Sequence, residues 1–341
     1  MPGLAKAITL PETLELTAEQ FKRKNTVLFG ESDSGKTTLM LDIMFLLKDE
    51  IDLGFIFSPT DSFEGIVARP LIHSEPDAEV LVNIMRRQEA IKEVFTKANQ
   101  LPVVRRLYER VRTQQVDALL DQHKRTASAQ MATIDPSSTD AVGRLEDLNK
   151  KADSKTLQIY KMGVAAGAKR LASMTLPDDE RVAFQYHALK PDTLILFDDM
   201  TEYFESLMRQ KNYKTLINQL FYRGRHSFIT SLIGLHDDKA LTTEQRKNPH
   251  ITIWTCAESL RGFMRRNAAP PALKNQIEQW IAGGLFADNF KLMYVRKQSK
   301  YYRVRAQRRT TFVFGDRKVM ETLSGIARTT VSNNEFVRAF L

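Results

Sequence analysis

Gly30-Glu31-Ser32-Asp33-Ser34-Gly35-Lys36-Thr37 carries the strongest structural signal in this chain of 341 residues. The apolar run Thr26-Val27-Leu28-Phe29 precedes it, and a helix-prone run, residues 38–47, follows it. A strand, a G-x-x-x-x-G-K-T loop and a helix, in that order, form the context in which this loop cradles the phosphates of a nucleotide. A Gly-Ser surface loop that binds nothing is the alternative, and the complete context favours the phosphate loop (P-loop).

The residue types in the P-loop have physical reasons. Gly30 and Gly35 allow backbone angles that a side chain would forbid, so that successive amides turn towards the phosphates. The helix N-terminus adds partial positive charge at the same place. Lys36 is predicted to reach the β- and γ-phosphates, and the Thr37 hydroxyl is predicted to ligate Mg²⁺. The predicted ATP-contacting residues are Gly30, Glu31, Ser32, Asp33, Ser34, Gly35, Lys36, Thr37 and Thr38.

Length and composition narrow the class of protein. With 43% apolar residues, the chain has enough core material for one large domain or two. Its apolar runs are interrupted well before the ~20 residues that a bilayer requires, so we expect no membrane span. A single cysteine, Cys256, excludes an intramolecular disulfide and fits a reducing compartment. We therefore expect an intracellular protein.

The formal net charge of +9 is unevenly spread. Between Lys291 and Arg309 there are eight Lys or Arg and no Asp or Glu, with three tyrosines interleaved. This basic stripe suits a nucleic-acid backbone, with the tyrosines available to stack or to pack. An edge β-hairpin whose charges only discourage aggregation is the alternative. The predicted DNA-contacting residues are Arg303, Arg305, Arg308 and Arg309.

Apolar strands alternate with helices along much of the chain, which indicates an α/β fold with a mainly parallel central sheet covered on both faces. A polar helical region interrupts this alternation, and it fits a lid, an oligomer contact or a partner surface equally well. The predicted organisation is a lead-in at 1–25, a first core part at 26–76, a helical insertion at 77–190, a second core part at 191–256, and a helix with a basic β-hairpin at 257–341.

Leu194-Ile195-Leu196-Phe197-Asp198-Asp199 is the expected partner of the P-loop. A carboxylate at the end of a strand is well placed to hold Mg²⁺ opposite Lys36 and Thr37. We assign Asp198 to the metal and Asp199 to polarising the attacking water. A turn after a buried strand is the alternative, and it leaves two adjacent acids unexplained.

Further residues fit roles in ATP hydrolysis. If the strand at 228–235 lies between the P-loop strand and the acidic strand, His236 at its end is a candidate γ-phosphate sensor, or simply a histidine bonded to backbone. Arg225 is the first choice for an arginine supplied to a neighbouring subunit, with Arg223 or Arg246 in reserve. A solvated loop with chance arginines remains the alternative.

Three segments together resemble a known family. Residues 26–60 read strand, GESDSGKTT, helix and strand, and end in Phe55-Ile56-Phe57-Ser58-Pro59-Thr60. LILFDD is followed by Leu220-Phe221-Tyr222-Arg223-Gly224-Arg225-His226 and an apolar strand, and Arg246-Lys247-Asn248 precedes the last core strand. These segments resemble the poxvirus-type genome-packaging ATPases of nucleocytoplasmic large DNA viruses, a branch of the FtsK–HerA superfamily of P-loop ATPases.

The resemblance covers roughly residues 20–75 and 190–256. It implies a RecA-like, additional-strand core that assembles into a homo-oligomeric ring, a pentamer or hexamer, and pumps double-stranded DNA into a capsid with ATP and Mg²⁺. It also implies capsid or portal-vertex partners and a location in the infected cell, its virus factory and the virion. Two features depart from the family: His236 stands where many relatives carry glutamine, and the helical insertion is longer than usual.

Three hypotheses follow. The first is a viral DNA-packaging motor, and the second is a cellular or plasmid-borne FtsK–HerA translocase. The third is a non-motor NTP-binding protein for assembly or signalling. A viral terminase is disfavoured because no acid-rich nuclease-like domain of sufficient length follows residue 256.

Overall fold

The computed structural model of the chain describes residues 8–96, 100–135, 138, 140–186, 191–307 and 311–315. The strands in these residues are β1 Asn25–Phe29, β2 Leu53–Phe57, β3 Ile72–His73, β4 Thr193–Phe197, β5 Ile229–Leu235, β6 Ile251–Trp254, β7 Lys291–Val295 and β8 Lys300–Val304. The helices are α1 Ala18–Phe21, α2 Lys36–Leu47, α3 Ala78–Thr96, α4 Gln100–Arg110, α5 Gln114–Ala132, α6 Ala141–Ala166, α7 Ala168–Ala172, α8 Asp178–Tyr186, α9 Thr201–Arg209, α10 Lys211–Arg223, α11 Thr243–Lys247, α12 Ala257–Arg266 and α13 Pro271–Ala282.

All eight strands belong to one sheet, in the order β3-β2-β4-β5-β1-β6-β7-β8. The first six strands in that order are parallel, and β7 and β8 extend the sheet as an antiparallel hairpin. Strand β5 pairs with β1 on one side and with β4 on the other. This order is that of a RecA-like additional-strand P-loop fold, and it confirms the predicted fold class with its mainly parallel sheet and C-terminal hairpin.

Strands β1, β2, β4 and β5 are mostly apolar and are buried at every position, as expected for a parallel sheet that helices cover on both faces. Aromatic side chains of neighbouring strands pack directly on each other. The rings of Phe57 in β2 and Phe197 in β4 stack with centroids 4.9 Å apart, and Phe204 of α9 meets Phe197 edge-on. These contacts fix the strands whose carboxyl ends carry the polar residues described below.

The hairpin is part of the core sheet, and its tyrosines pack inside the protein. Tyr301 lies against Trp254, Trp280 and Tyr294, with its ring centroid 4.8 Å from that of Tyr294. Burial raises the pKa of Tyr301 to about 12. The outer edge of β8 is paired as well, since Arg303 N–H donates to the Glu12 carbonyl at 2.8 Å. The interleaved tyrosines therefore pack instead of presenting stacking platforms.

The described residues divide into two compact units, one containing the sheet and the other spanning Glu89–Pro191. We predicted an insertion at 77–190, and the start of the compact helical unit lies later because the first part of α3 packs on the sheet core through Val80, Leu81 and Ile84. Within the described residues, no helix is both long and apolar enough to cross a membrane.

In the helical unit, α6 approaches α4 closely. A Cβ at Gly163 would lie 2.5 Å from the ring of Tyr108, so a larger residue would force the two helices apart. The Tyr108 hydroxyl donates to Asp117 at 2.8 Å, and the buried Glu180 carboxylate pairs with Arg110 at 2.6 Å. The unit thus has its own core and its own buried polar contacts.

Candidate nucleotide-binding site

The carboxyl ends of the parallel strands meet at one edge of the sheet, where α/β proteins bind ligands. Gly30 follows β1, Asp198 follows β4, His236 follows β5, and Thr255 follows β6. The topology therefore brings the predicted P-loop, the predicted acid pair and the predicted sensor to the same edge.

The P-loop has the backbone and close contacts that its glycines predict. Gly35 has φ of +87°, which a side chain would disfavour. A Cβ at Gly30 would lie 1.7 Å from Thr255 Oγ1, so this position excludes any side chain. Ser34 Oγ and Thr255 Oγ1 are joined by a hydrogen bond of 2.6 Å, which fastens the loop to the end of β6.

Lys36 is almost fully buried, at 6% exposed, and lies against its own loop. Its Nζ donates to the carbonyl oxygens of Gly30 at 2.6 Å and Glu31 at 2.9 Å. Burial lowers the pKa of Lys36, while the charges of Asp199 and Asp198 act in the opposite direction. The ammonium group is therefore held near the acid pair at the mouth of the loop.

Thr37 and Asp198 are in direct contact, since Thr37 Oγ1 donates to Asp198 Oδ2 at 2.7 Å. Asp198 is 1% exposed, and its Oδ1 has no hydrogen-bond partner among the described residues. Burial raises the pKa of Asp198, and the Thr37 hydrogen bond and the Lys36 charge oppose that rise. A hydroxyl oxygen beside a carboxylate with an unshared oxygen fits Mg²⁺, which prefers hard oxygen ligands.

Gly234 of β5 makes room for this carboxylate, and sequence reasoning missed it. A Cβ there would lie 3.0 Å from Asp198 Oδ1 and 2.7 Å from Met40 Cε. The glycine is needed because β5 pairs with β4, which brings the last residues of β5 close to the Asp198 side chain. The signal in the sequence was a glycine near the end of a strand that is otherwise apolar.

Asp199 Oδ1 and His236 Nε2 are in direct contact. Asp199 has φ of +56°, an unusual backbone angle for a residue other than glycine, which turns it away from the direction of β4. The backbone N–H of His236 donates to the Thr201 side chain, at Oγ1, at 2.7 Å. The backbone of His236 is therefore held by a side chain, and its ring contacts the predicted water-polarising acid.

The structure places Arg225 at the other edge of the sheet. It lies in the 3-10 turn Gly224–Ser227 that precedes β5, and its Nε donates to His226 Nε2 at 3.0 Å. The seven residues of β5 then separate it from His236 by roughly 20 Å, at about 3.3 Å per residue. Arg225 is thus outside the site of its own chain, as is Arg223 at the end of α10.

Arg246 has internal partners. Its Nη1 lies 3.4 Å from Asp238 Oδ2 and 3.2 Å from the Asp238 carbonyl oxygen. Asp238 is buried and also pairs with Arg266, so Arg246 helps to neutralise a buried carboxylate.

Two of the predicted DNA-contacting arginines lie among the described residues. Arg303 donates to the carbonyl oxygens of Leu285 and Gly284, both at 3.3 Å, and lies 4.0 Å above the ring of Phe290. Arg305 is exposed and lies 5.3 Å from the centre of the same ring. Arg308 and Arg309 lie outside the described residues.

Lys291 is a second residue near the P-loop that the sequence did not predict there. We grouped it with the basic stripe, yet its Nζ donates to the Ser34 carbonyl oxygen at 2.5 Å, inside the P-loop. Because β7 runs antiparallel to β6, it begins at the edge of the sheet where β6 ends. The first residue of β7 therefore lies near the last residue of β6. The predicted hairpin after β6 was the one signal of this placement.

Comparison with known proteins gives distant similarities. No family model matches the chain. The chain is 24% identical over 342 residues to the uncharacterized protein B354L of African swine fever virus (isolate Pig/Kenya/KEN-50/1950), with 93% of this chain and 91% of that protein covered. The genome packaging NTPase B204 from Sulfolobus turreted icosahedral virus 2, in complex with AMPPCP, is 11% identical with a TM-score of 0.38, over 82% of this chain and 96% of that one. The pCW3 conjugation coupling protein TcpA is 12% identical with a TM-score of 0.35, over 98% of this chain and 76% of that one.

Proposed function

We propose that this chain is a P-loop ATPase that moves double-stranded DNA, and that it packages a viral genome into a capsid. The observation that carries the proposal is the 2.7 Å hydrogen bond between Thr37 and Asp198. It brings the end of the P-loop and the acidic strand to one point although β5 lies between their strands. Such a convergence is what a magnesium–triphosphate site requires.

Each residue of the site has a separate role in ATP binding or hydrolysis. Lys36 exchanges its carbonyl partners for the β- and γ-phosphate oxygens of ATP, and the amides from Gly30 to Thr38 hold the phosphates. Thr37 and Asp198 hold Mg²⁺, which when bound neutralises charge on the phosphates. Asp199 orients and polarises the attacking water, and His236, paired with it, responds to the γ-phosphate.

The position of Arg225 supports action on a neighbouring subunit in a ring. It lies at the edge of the sheet opposite its own site, beside His226 and His250. Burial lowers the pKa of His250, and the positive charges of Arg225, Lys24 and Arg296 lower it further. Positive charge of this density suits the triphosphate of an adjacent copy. Head-to-tail contacts of this kind build a ring when the rotation between copies closes, and we propose a pentamer or hexamer.

A viral packaging role is favoured over a cellular translocase because the relative that matches 93% of the chain is encoded by a virus. The partners proposed with it are duplex DNA and capsid or portal-vertex proteins, in the infected cell and its virus factory. The net charge of +9 supports contact with DNA. A non-motor NTP-binding protein remains the second candidate, because the helical unit Glu89–Pro191 is large enough to dock a partner.

The test is ATP hydrolysis by the purified full chain, with and without duplex DNA, together with the mass of the assembled species. We expect hydrolysis that rises with DNA and a species of five or six copies. Lys36→Ala should abolish turnover because it removes a charge from the phosphates. Wild-type turnover in Lys36→Ala would refute the P-loop assignment, and turnover indifferent to DNA would favour the non-motor protein.

A further inference from the structure

A cavity of about 140 Å³ flanks the P-loop on the side of β7. Its lining comprises Asp33, Ser34, Gly35 and Thr38 on the side of the loop, Asn289 and Lys291 at the start of β7, and Ala306. Since a water molecule occupies about 30 Å³ of the liquid, the cavity has room for four or five waters. It is too small for a whole nucleotide and large enough for one phosphate group with part of its nucleoside.

Lys291 brings a buried positive charge to this cavity. It is 7% exposed, and Ser34 O is the one hydrogen-bond acceptor that the described residues give its ammonium group. An ammonium group has three donors, so two remain for a ligand. Burial lowers the pKa of Lys291, which reflects the cost of holding this charge away from water. A single carbonyl oxygen compensates that cost poorly, and an anion would compensate it well.

The residues that line the cavity indicate which phosphate group of a nucleotide it would hold. Lys36 and Thr37, which serve the β- and γ-phosphates and Mg²⁺, are not among the residues that line it. A Cβ at Gly35 would lie 3.2 Å from Lys291 Nζ, so the lysine is pressed against the outer face of the loop. Of the three phosphates of a bound nucleotide, the α-phosphate is the one left for this side.

We infer that Lys291 is a second phosphate-binding lysine, which contacts the α-phosphate of the nucleotide while Lys36 serves the β- and γ-phosphates, and that Asn289 borders the adjoining nucleoside. This inference rests on the proposed ATPase function and deepens it. The hairpin strand β7 thereby becomes part of the nucleotide site, because a residue of the strand that extends the sheet completes the phosphate cradle.

The test compares the binding of ATP with that of the two diastereomers of ATPαS, in which sulfur replaces one α-phosphate oxygen. Lys291→Gln keeps a donor for Ser34 O and loses the charge, and Lys297→Gln, an exposed lysine in the turn of the same hairpin, is the matched control. In the wild-type chain we expect one diastereomer to bind several-fold more weakly than the other. Lys291→Gln should lose about tenfold in ATP affinity and reduce that discrimination to less than twofold, whereas Lys297→Gln should keep it.

A lysine that only props the loop would weaken all nucleotides in equal proportion, so unchanged discrimination in Lys291→Gln overturns the inference. Equal binding of the two diastereomers by the wild-type chain, or unchanged ATP affinity in Lys291→Gln, overturns it as well. ATPγS serves as the internal reference, since its affinity relative to ATP should be the same in the wild-type chain and in Lys291→Gln. If the wild-type chain binds no ATP, the proposed function itself fails. If it binds ATP without a discrimination that depends on Lys291, the inference alone fails.

Discussion

Thr37 and Asp198 lie 161 residues apart in the chain and are joined by a hydrogen bond of 2.7 Å. Thr37 lies in the first turn of α2, Asp198 follows β4, and strand β5 lies between β1 and β4 in the sheet. The contact closes the mouth of the P-loop with a hydroxyl and a carboxylate. One carboxylate oxygen, Asp198 Oδ1, is left without a partner in the described part of the chain.

We expect Asp198→Asn to weaken Mg²⁺ binding without lowering the stability of the fold. The amide has nearly the shape of the carboxylate but no charge, and burial raises the pKa of Asp198, so the neutral side chain should leave the melting temperature unchanged or higher. The Mg²⁺ concentration that supports half-maximal hydrolysis should rise at least tenfold, because a metal ligand is removed. Melting curves without Mg²⁺ and Mg²⁺ titrations of ATPase activity measure the two effects.

The matched control is Asp49→Asn, which neutralises an exposed acid that pairs with Lys48 just after α2. It should change neither the melting temperature nor the Mg²⁺ requirement. An Asp198→Asn chain with the wild-type Mg²⁺ requirement would place the metal elsewhere.

The pair formed by Asp199 and His236 leads to a prediction about coupling. Asp199→Asn should retain ATP binding and slow hydrolysis by about 10²- to 10⁴-fold, the range for general acid–base assistance. His236→Ala should slow hydrolysis less, because it removes only the partner of the acid. If the two act together, the double variant should be no slower than Asp199→Asn alone. Single-turnover rates with binding measured in parallel test this, and additive losses would show that the two residues act independently.

The fold was largely predictable because its signals are local. The P-loop context predicted β1 and α2, and two acids after an apolar run predicted the end of β4. The first two inferences used residues adjacent in sequence, for which periodicity and loop chemistry are informative. The placement of β5 between β1 and β4 was expected from the strand order of the additional-strand class of P-loop proteins, and the structure has that order.

What could not be predicted depends on contacts between residues far apart in sequence. The basic stripe suggested a surface, but Lys291 reaches the P-loop and Arg303 contacts carbonyl oxygens of the segment before β7. Likewise, Arg246 is held by the buried Asp238, which nothing in its local sequence indicates. Charge identifies such residues, but contacts made only in the folded chain place them: antiparallel pairing places Lys291 and Arg303, and the buried Asp238 holds Arg246.

The basic hairpin provides a test of DNA binding. Neutralising Arg303, Arg305, Arg308 and Arg309 to glutamine should weaken duplex DNA binding and flatten its dependence on salt, by about 0.9 in the logarithmic slope for each phosphate that is no longer neutralised. Arg303→Gln alone should also lower the melting temperature, since Arg303 holds two carbonyl oxygens. Arg305→Gln should affect DNA binding only. Binding curves between about 50 and about 300 mM salt provide the measurement, and an unchanged slope would make the stripe purely structural.

His73 leads to a prediction about stability and pH. Its ring is buried and stacks on Phe57 with centroids 5.1 Å apart, and burial lowers the pKa of His73 from 6.5 to about 4. Between these two values the unfolded chain binds a proton that the folded chain does not. The stability due to neutral His73 is therefore complete above pH 6.5 and is lost as the pH falls towards 4, by roughly 3 kcal/mol at 1.36 kcal/mol for each pKa unit.

His73→Phe should preserve the stacking on Phe57 and remove most of this pH dependence, because phenylalanine has no proton to bind. Both tryptophans, Trp254 and Trp280, belong to the unit that contains the sheet, so urea unfolding followed by tryptophan fluorescence reports on the unit that contains His73. The control is His123→Gln, in the helical unit, which should leave the fluorescence-detected pH profile as it is in the wild-type chain. If His73→Phe loses as much stability between pH 6.5 and 4 as the wild-type chain does, the acid sensitivity of this unit has its origin in another group.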